Sequence, residues 1–244
     1  MNLVLPPDLA RVLAAAPVLA RAYLVGGCLR DALLGRPGTD FDVEVFGVSY
    51  EGLAEGLRPY GRVDCVGRSF GVVKLHLGGA QHDFSIPRRD AKTGPGHRGF
   101  EVAFDPALDL REAAARRDFT LNALMYDPRD RVLMDFFDGV ADLRARRLRH
   151  TSAAFVEDPL RVLRGMQFAA RFGLSADPGT LDLCRSIHGT FPELAIERVW
   201  QEWWKWATLG GQPSAGLRFL EDTGWLSWFP ELAAMRGVPQ EPDW

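Results

Sequence analysis

Apolar and polar positions alternate along this chain in two rhythms, and the change between them divides it. Residues 7–20, PDLARVLAAAPVLA, carry a helical spacing and predict an amphipathic helix. A short strand, Tyr23-Leu24-Val25, then runs into Gly26-Gly27, and a second helix over about 28–34 ends at Gly35 and the turn-rich Arg36-Pro37-Gly38-Thr39. The run Asp40-Phe41-Asp42-Val43-Glu44-Val45-Phe46 switches to a period of two. Phe41, Val43 and Val45 fall on one face of a strand and Asp40 and Asp42 on the other, with Glu44 joining them by parity as an expected surface acid. Phe70–Leu77 and His82–Ile86, joined through Gly78-Gly79, predict a hairpin. The stretch RRDAKTGPGHRG, residues 88–99, has no periodicity and is expected as a mobile loop. From about residue 141 helical spacing continues to the end, apart from turns such as Ser175-Ala176-Asp177-Pro178-Gly179. A small sheet with few helices, followed by helices, is an α+β architecture with a boundary near residue 140.

Composition changes this picture little. With 244 residues, 47% of them hydrophobic and 25% charged, the chain suffices for one large domain or two smaller ones. A formal net charge of -3 gives no bulk attraction to polyanions, so any such site needs local clustering. Between residues 140 and 171, seven arginines (144, 146, 147, 149, 161, 164 and 171) face three acids (Asp142, Glu157 and Asp158). Cys28, Cys65 and Cys184 have neither disulfide nor zinc spacing and read as idle thiols in a reducing cytosol. No apolar run reaches membrane-spanning length and no signal-peptide pattern opens the chain, so a cytoplasmic protein without a membrane partner is expected.

Three constellations could carry chemistry. Two carboxylates one residue apart repel unless a cation or a hydrogen-bond network compensates them, and a hard cation such as Mg²⁺ takes oxygen ligands that it shares with phosphate. Asp40 and Asp42 follow the turn Gly26, Gly27, Arg30, Asp31, where glycines admit close backbone approach and Arg30 adds a charged donor. The second constellation is ARRDFTLNAL, residues 115–124, a helix-like run behind Arg116, Arg117 and Asp118. Asp118 is either an N-cap or, with an arginine, a contact for ribose and triphosphate. The third is EDPLRVLRGMQFAARFGL, residues 157–174, in which Asp158-Pro159 suits a helix start and Asp158, Arg161, Arg164, Gln167 and Arg171 form a polar stripe. A carboxylate accepting from an exocyclic amino group beside a guanidinium donating to a ring nitrogen fits cytosine and adenine, and neither guanine nor uracil. Trp200, Trp203 and Trp204, at i, i+3 and i+4, are expected to form one buried helix face rather than a base-stacking platform.

In order along the chain, LVGGCLRDALLG, TDFDVEVFG, RRDFTLNAL, FFDGVADLRARRLRH, EDPLRVLRGMQFAARFGL, ERVWQEWWKW and FLEDTGWLSWFPEL resemble the class II tRNA nucleotidyltransferase and bacterial poly(A) polymerase family, of the DNA polymerase β-like superfamily. The resemblance implies a catalytic head over 1–140, a helical base-binding neck over 141–210 and the start of a body over 211–244. It implies that Asp40 and Asp42 hold two Mg²⁺ ions, and that Gly27 and Arg30 contact the triphosphate. Arg117 and Asp118 would contact the nucleotide near its ribose and phosphates, and Asp158 and Arg161, with Arg164 beside them, would select the base of ATP or CTP. The implied reaction is attack of a tRNA 3′-hydroxyl on the α-phosphate with release of pyrophosphate, giving CCA or A addition. The CC-adding enzymes and poly(A) polymerases of the family share these motifs, and a catalytically idle RNA- or nucleotide-binding module is the alternative of another class. A full-length stretch over 88–110 favours a member able to add A. Two departures stand out: Gln167 replaces an arginine of many relatives, and most of the body and tail that grip tRNA elsewhere in the family lies outside these 244 residues. Phosphate contacts are then expected from the cluster Arg144 to Arg149.

Overall fold

A computed structural model describes residues 3–36, 40–67, 71–92 and 100–238. It separates into two compact units, Met1–Ala145 and Arg146–Trp244. The expected turn at 37–39, Phe70 and residues 93–99 of the expected loop lie outside the described residues.

The first unit opens with α1 (Pro7–Ala15), which buries Leu9, Val12 and Leu13 at i, i+3 and i+4. The expected helix to residue 20 stops short, because Pro17 lacks an N–H and holds Ala16 in an extended conformation; a 3₁₀ turn, Pro17–Leu19, follows. Strand β1 (Ala22–Val25) leads through Gly26 into α2 (Gly27–Leu33). Then come β2 (Asp42–Val45), α3 (Tyr50–Leu57), β3 (Arg62–Gly67), β4 (Val72–Leu77) and β5 (Ala80–Ser85). Gly78 and Gly79, both at positive φ, make the β4–β5 hairpin turn. Strands β6 (Arg88–Lys92) and β7 (Phe100–Phe104) pair antiparallel. That corrects the expectation of a loop throughout 88–99: a backbone ladder forms there without the apolar alternation that would advertise it.

Helix α4 (Leu110–Ala115) precedes a 3₁₀ turn, Thr120–Asn122, and not the longer helix expected around Asn122. Strands β8 (Met125–Asp127) and β9 (Val132–Met134) and helix α5 (Gly139–Arg144) complete the unit, which ends at residue 145. Among the described residues seven strands form one mixed sheet in the order β3-β4-β5-β2-β1-β8-β9. Only the β2–β5 pair is parallel. Leu24, Val43, Val73, Leu75 and Phe84 pack with Leu9 and Leu13 of α1 and Leu53 and Leu57 of α3. Val25, Phe46 and Met125 pack with Leu108, Ala113 and Ala114. Adjacent residues such as Leu24 and Val25 thus serve different cores, as the strand's alternation requires. Thr120 Oγ1 donates to Asp142 Oδ2 at 2.7 Å, both residues fully buried, which ties α5 to the 3₁₀ turn.

The second unit is helical, apart from β10 (Arg147–Leu148) and β11 (Ser175–Ala176), a short parallel pair in a region expected to be helices and turns. Helix α6 (Leu160–Phe172) is its buried centre and packs against α8 (Ile196–Leu209) and α9 (Pro213–Asp222). Between α6 and α8 lies α7 (Pro178–Ser186), capped by Asp177, whose Oδ1 accepts from the Gly179 N–H; α10 (Pro230–Ala234) closes the described chain. Trp225 is fully buried, edge-on to Phe191, and donates from Nε1 to the Cys184 carbonyl at 2.9 Å. Trp225→Ala is therefore expected to cost ~3–5 kcal/mol, read as a lower urea midpoint of unfolding. A variant unfolding with the unsubstituted chain would show that this packing contributes nothing.

Candidate active site

Strand β2 presents Asp42 to solvent at its first position, with Asp40 exposed two residues before it; Phe41, Val43 and Val45 are buried, as the alternation predicts. Asp42 stands opposite Val25 of β1 and Asp83 of β5. Loss of solvation around its carboxylate first, and then the neighbouring Asp40 carboxylate, raise its pKa above the usual carboxylate value, and Arg117 pulls the other way. An elevated proton affinity produced partly by a like charge marks a position where a cation would replace the proton. The donors are hard oxygens, which fit Mg²⁺. Among the described residues no group of three or more His, Cys, Asp or Glu has metal-holding geometry. A cation on Asp40 and Asp42 would thus complete its shell with water and phosphate oxygens, as Mg²⁺ commonly does.

The turn after β1 needs glycine. Gly26 has φ +76°, and a Cβ there would sit 3.1 Å from Arg117 Nη1 and 3.9 Å from Asp42 Oδ2. A Cβ on Gly27 would meet Arg30 Nη2 at 3.3 Å. Turn, carboxylate and two arginines are therefore packed together. Arg30 is only 5% exposed; its Nε donates to Asp31 Oδ1 at 2.8 Å and its Nη1 to Asn122 Oδ1 at 2.6 Å. Asn122 Nδ2 in turn donates to Asp118 Oδ1, which also accepts the Phe119 N–H. Asp118, buried as well, thus acts in a local cap and in a network joining the 3₁₀ turn to α2. Asn122 is the linking residue, and an amide four residues after Asp118 in a largely apolar run is the sequence signal for it.

Glu44 corrects the sequence expectation. It is fully buried, its Oε1 accepting from Arg116 Nη2 at 2.8 Å and its Oε2 from Arg117 Nη2 at 3.3 Å. Parity put it on the face of the two aspartates, but these arginines cover that end of the strand, and their charges hold the Glu44 pKa low against burial. Cys28, next to the turn, is inert: burial first and then Asp42 push its thiol up to about 12.

In the second unit Asp158 Oδ1 accepts the Leu160 N–H at 3.1 Å and so caps α6. Its Oδ2 accepts from Arg198 Nη2 of α8 at 3.0 Å, a partner that the tryptophans of the same segment obscured in sequence. Arg161 Nη1 donates to the Ala154 carbonyl at 2.8 Å, and the Arg164 guanidinium lies over the Phe168 ring. Gln167 does not share the half-exposed stripe of Arg161, Arg164 and Arg171: it is buried, and its Nε2 has no partner among the described residues. An uncharged side chain suits that position, since a guanidinium would need a counter-charge. The tryptophans also differ from expectation. Trp203 packs edge-on to Trp206 and Phe229, but Trp200 and Trp204 are 64% and 59% exposed with ring centroids 6.3 Å apart. Spacing identified the shared stripe; α6 covers a different side of α8.

Fold and sequence order together define the class, an α+β chain with a polymerase β-like nucleotidyltransferase head followed by helices. The profile of the Poly A polymerase head domain matches residues 22–149, and the chain belongs to that family. It is 44% identical over 230 residues to a "Multifunctional CCA protein" of Stenotrophomonas maltophilia, covering 91% of this chain and 54% of that one. The chain spans about half the length of the curated relatives it matches. Among solved structures, the Thermotoga maritima CCA-adding enzyme complexed with tRNA superposes with a TM-score of 0.74 at 27% identity, over 99% of this chain and 55% of that one. The Bacillus stearothermophilus CCA-adding enzyme in complex with CTP gives 0.72 at 26% identity, over 90% and 53%.

Proposed function

We propose that this chain is a template-independent RNA nucleotidyltransferase that adds CMP, AMP or both to the 3′ end of tRNA in the cytoplasm and releases pyrophosphate. The observation that carries it is Asp42 at the start of β2, packed against the glycine turn and Arg117, with Asp40 two residues before it. The similarity to CCA-adding enzymes bound to CTP and to tRNA supports the substrate class. Asp40 and Asp42 would hold Mg²⁺, which when bound makes the terminal 3′-hydroxyl a better nucleophile and stabilises charge on the leaving pyrophosphate. Arg117, with Nη1 at the turn, would orient the phosphates, and Gly27 and Arg30 would shape the wall they rest on. Asp118, through Asn122, would hold that wall to the ribose side.

Asp158, Arg161 and Arg164 we assign to base selection. Asp158 would accept from the exocyclic amino group, sharing its carboxylate with Arg198, while Arg161 would turn from the Ala154 carbonyl to the ring nitrogen. The head expected over residues 1–140 would then run on to residue 145 so as to hold all of α5, with the neck following it to residue 210 and the start of a body over 211–244.

The experiment is incorporation by the purified 244-residue chain with Mg²⁺, offering tRNAs ending before C74, after C74 and after C75, and each NTP singly. Incorporation restricted to CTP and ATP is the expected result, and the first acceptor used separates CCA, CC and A addition. Binding of NTP without incorporation on any acceptor would leave a nucleotide-binding module and overturn the enzymatic assignment.

A further inference from the structure

We infer that Glu44 is a positioning residue for the nucleotide phosphates and acts through Arg117. The inference rests on the nucleotide reading of the site given above. Glu44 follows Asp42 by two residues on β2 and is wholly removed from solvent, with one carboxylate oxygen on each of two neighbouring guanidinium groups. A lone acid buried this way would be costly; a carboxylate taking a donor on each oxygen is compensated.

Arg117 spans the gap between the buried and the exposed end of the strand. Its Nη2 rests on Glu44, and its Nη1 lies 3.1 Å from the position of a Cβ on Gly26, which is itself 3.9 Å from Asp42 Oδ2. Among the described residues Glu44 accepts the hydrogen bond that the Arg117 guanidinium makes, and the Arg117 Nε is buried without a partner. Anchoring one nitrogen of a long, flexible side chain fixes the plane of the whole fork and aims the other. A ligand phosphate then meets a donor that is already oriented, so less freedom is lost on binding. Without Glu44, the nearby Asp42 carboxylate competes for Arg117, and the guanidinium leaves the phosphate position for the cation position.

The test uses the full 244-residue chain and Mg²⁺-tripolyphosphate as the probe, so that base selection by Asp158 and Arg161 does not enter. Titration calorimetry on Glu44→Gln, Arg117→Gln and the double variant forms a cycle. Each single variant is expected to bind about tenfold more weakly, the size of one charge-assisted hydrogen bond, and the double variant no more weakly than Arg117→Gln alone. In turnover, Glu44→Gln is expected to raise KM for CTP and ATP alike with kcat changed far less, whereas a merely structural role lowers active enzyme and leaves KM in place. Should Glu44→Gln not fold, Glu44→Met with Arg116→Met removes a carboxylate and a guanidinium in balance, and the same loss of affinity is expected. Unchanged affinity in the folded Glu44 variant, or additive losses in the cycle, overturns the role of Glu44 while the nucleotide site stands. Failure of the unsubstituted chain to bind either tripolyphosphate or NTP overturns the nucleotide site itself, and the role of Glu44 with it.

Discussion

Asp40→Ala is expected to lower nucleotide incorporation by at least ~10³-fold, because a metal site of this kind contributes several kcal/mol of transition-state stabilisation and each 1.36 kcal/mol is a factor of ten. RNA binding should remain largely intact, since the lost carboxylate repels rather than attracts the acceptor's phosphates. The dependence on pH follows from the raised pKa of Asp42. Only the ionised carboxylate binds a cation, so a raised pKa means that metal affinity is lost at a higher pH than for an ordinary aspartate as the solution is acidified. Proton and Mg²⁺ therefore compete, and raising the Mg²⁺ concentration should move the acid limb of the activity profile to lower pH. Full activity in the Asp40→Ala enzyme, or an acid limb indifferent to Mg²⁺, would remove these aspartates from the metal site.

Asp158→Ala should act on choice more than on rate. A site that hydrogen-bonds a substrate's polar edge rejects analogues with the wrong edge by leaving buried groups unpaired, and loss of that pairing is expected to reduce the preference for CTP over UTP by ~10²-fold or more. The same variant removes one partner of Arg198 and the acceptor for the Leu160 N–H, so a share of its effect is on the start of α6. Arg198→Lys separates the two: it keeps a charge beside Asp158 without the guanidinium fork, and should leave the α6 cap in place while changing kcat/KM for CTP and ATP. Selectivity among the four NTPs, measured singly on one acceptor, reads both variants. An Asp158→Ala enzyme as selective as its parent would move base selection elsewhere.

Local patterns are legible where one residue's neighbours in sequence are also its neighbours in space. Alternation put Phe41, Val43 and Val45 in the core and both aspartates at the other face. Glycine marked the β4–β5 hairpin, whereas the apolar spacing carried the first helix on to residue 20, past the stop that Pro17 imposes after Ala15. The ordered motifs carried the family and the two carboxylates. What crosses the chain was not legible. Glu44 lies 72 residues from Arg116, Arg30 lies 92 from Asn122, and Asp158 lies 40 from Arg198. Each is a charged or amide side chain that sequence alone assigns to solvent, because the cost of burying it is visible and the partner that offsets the cost is not. The exposed Trp200 and Trp204 are the converse: spacing determines which residues share a helix face, but only the packing of α8 on α6 decides which face is covered. By itself the sequence determined the order of the locally patterned elements and the residues able to do the chemistry; tertiary structure decided the β6–β7 and β10–β11 ladders, whose partners are remote or unpatterned, and which charges are paired.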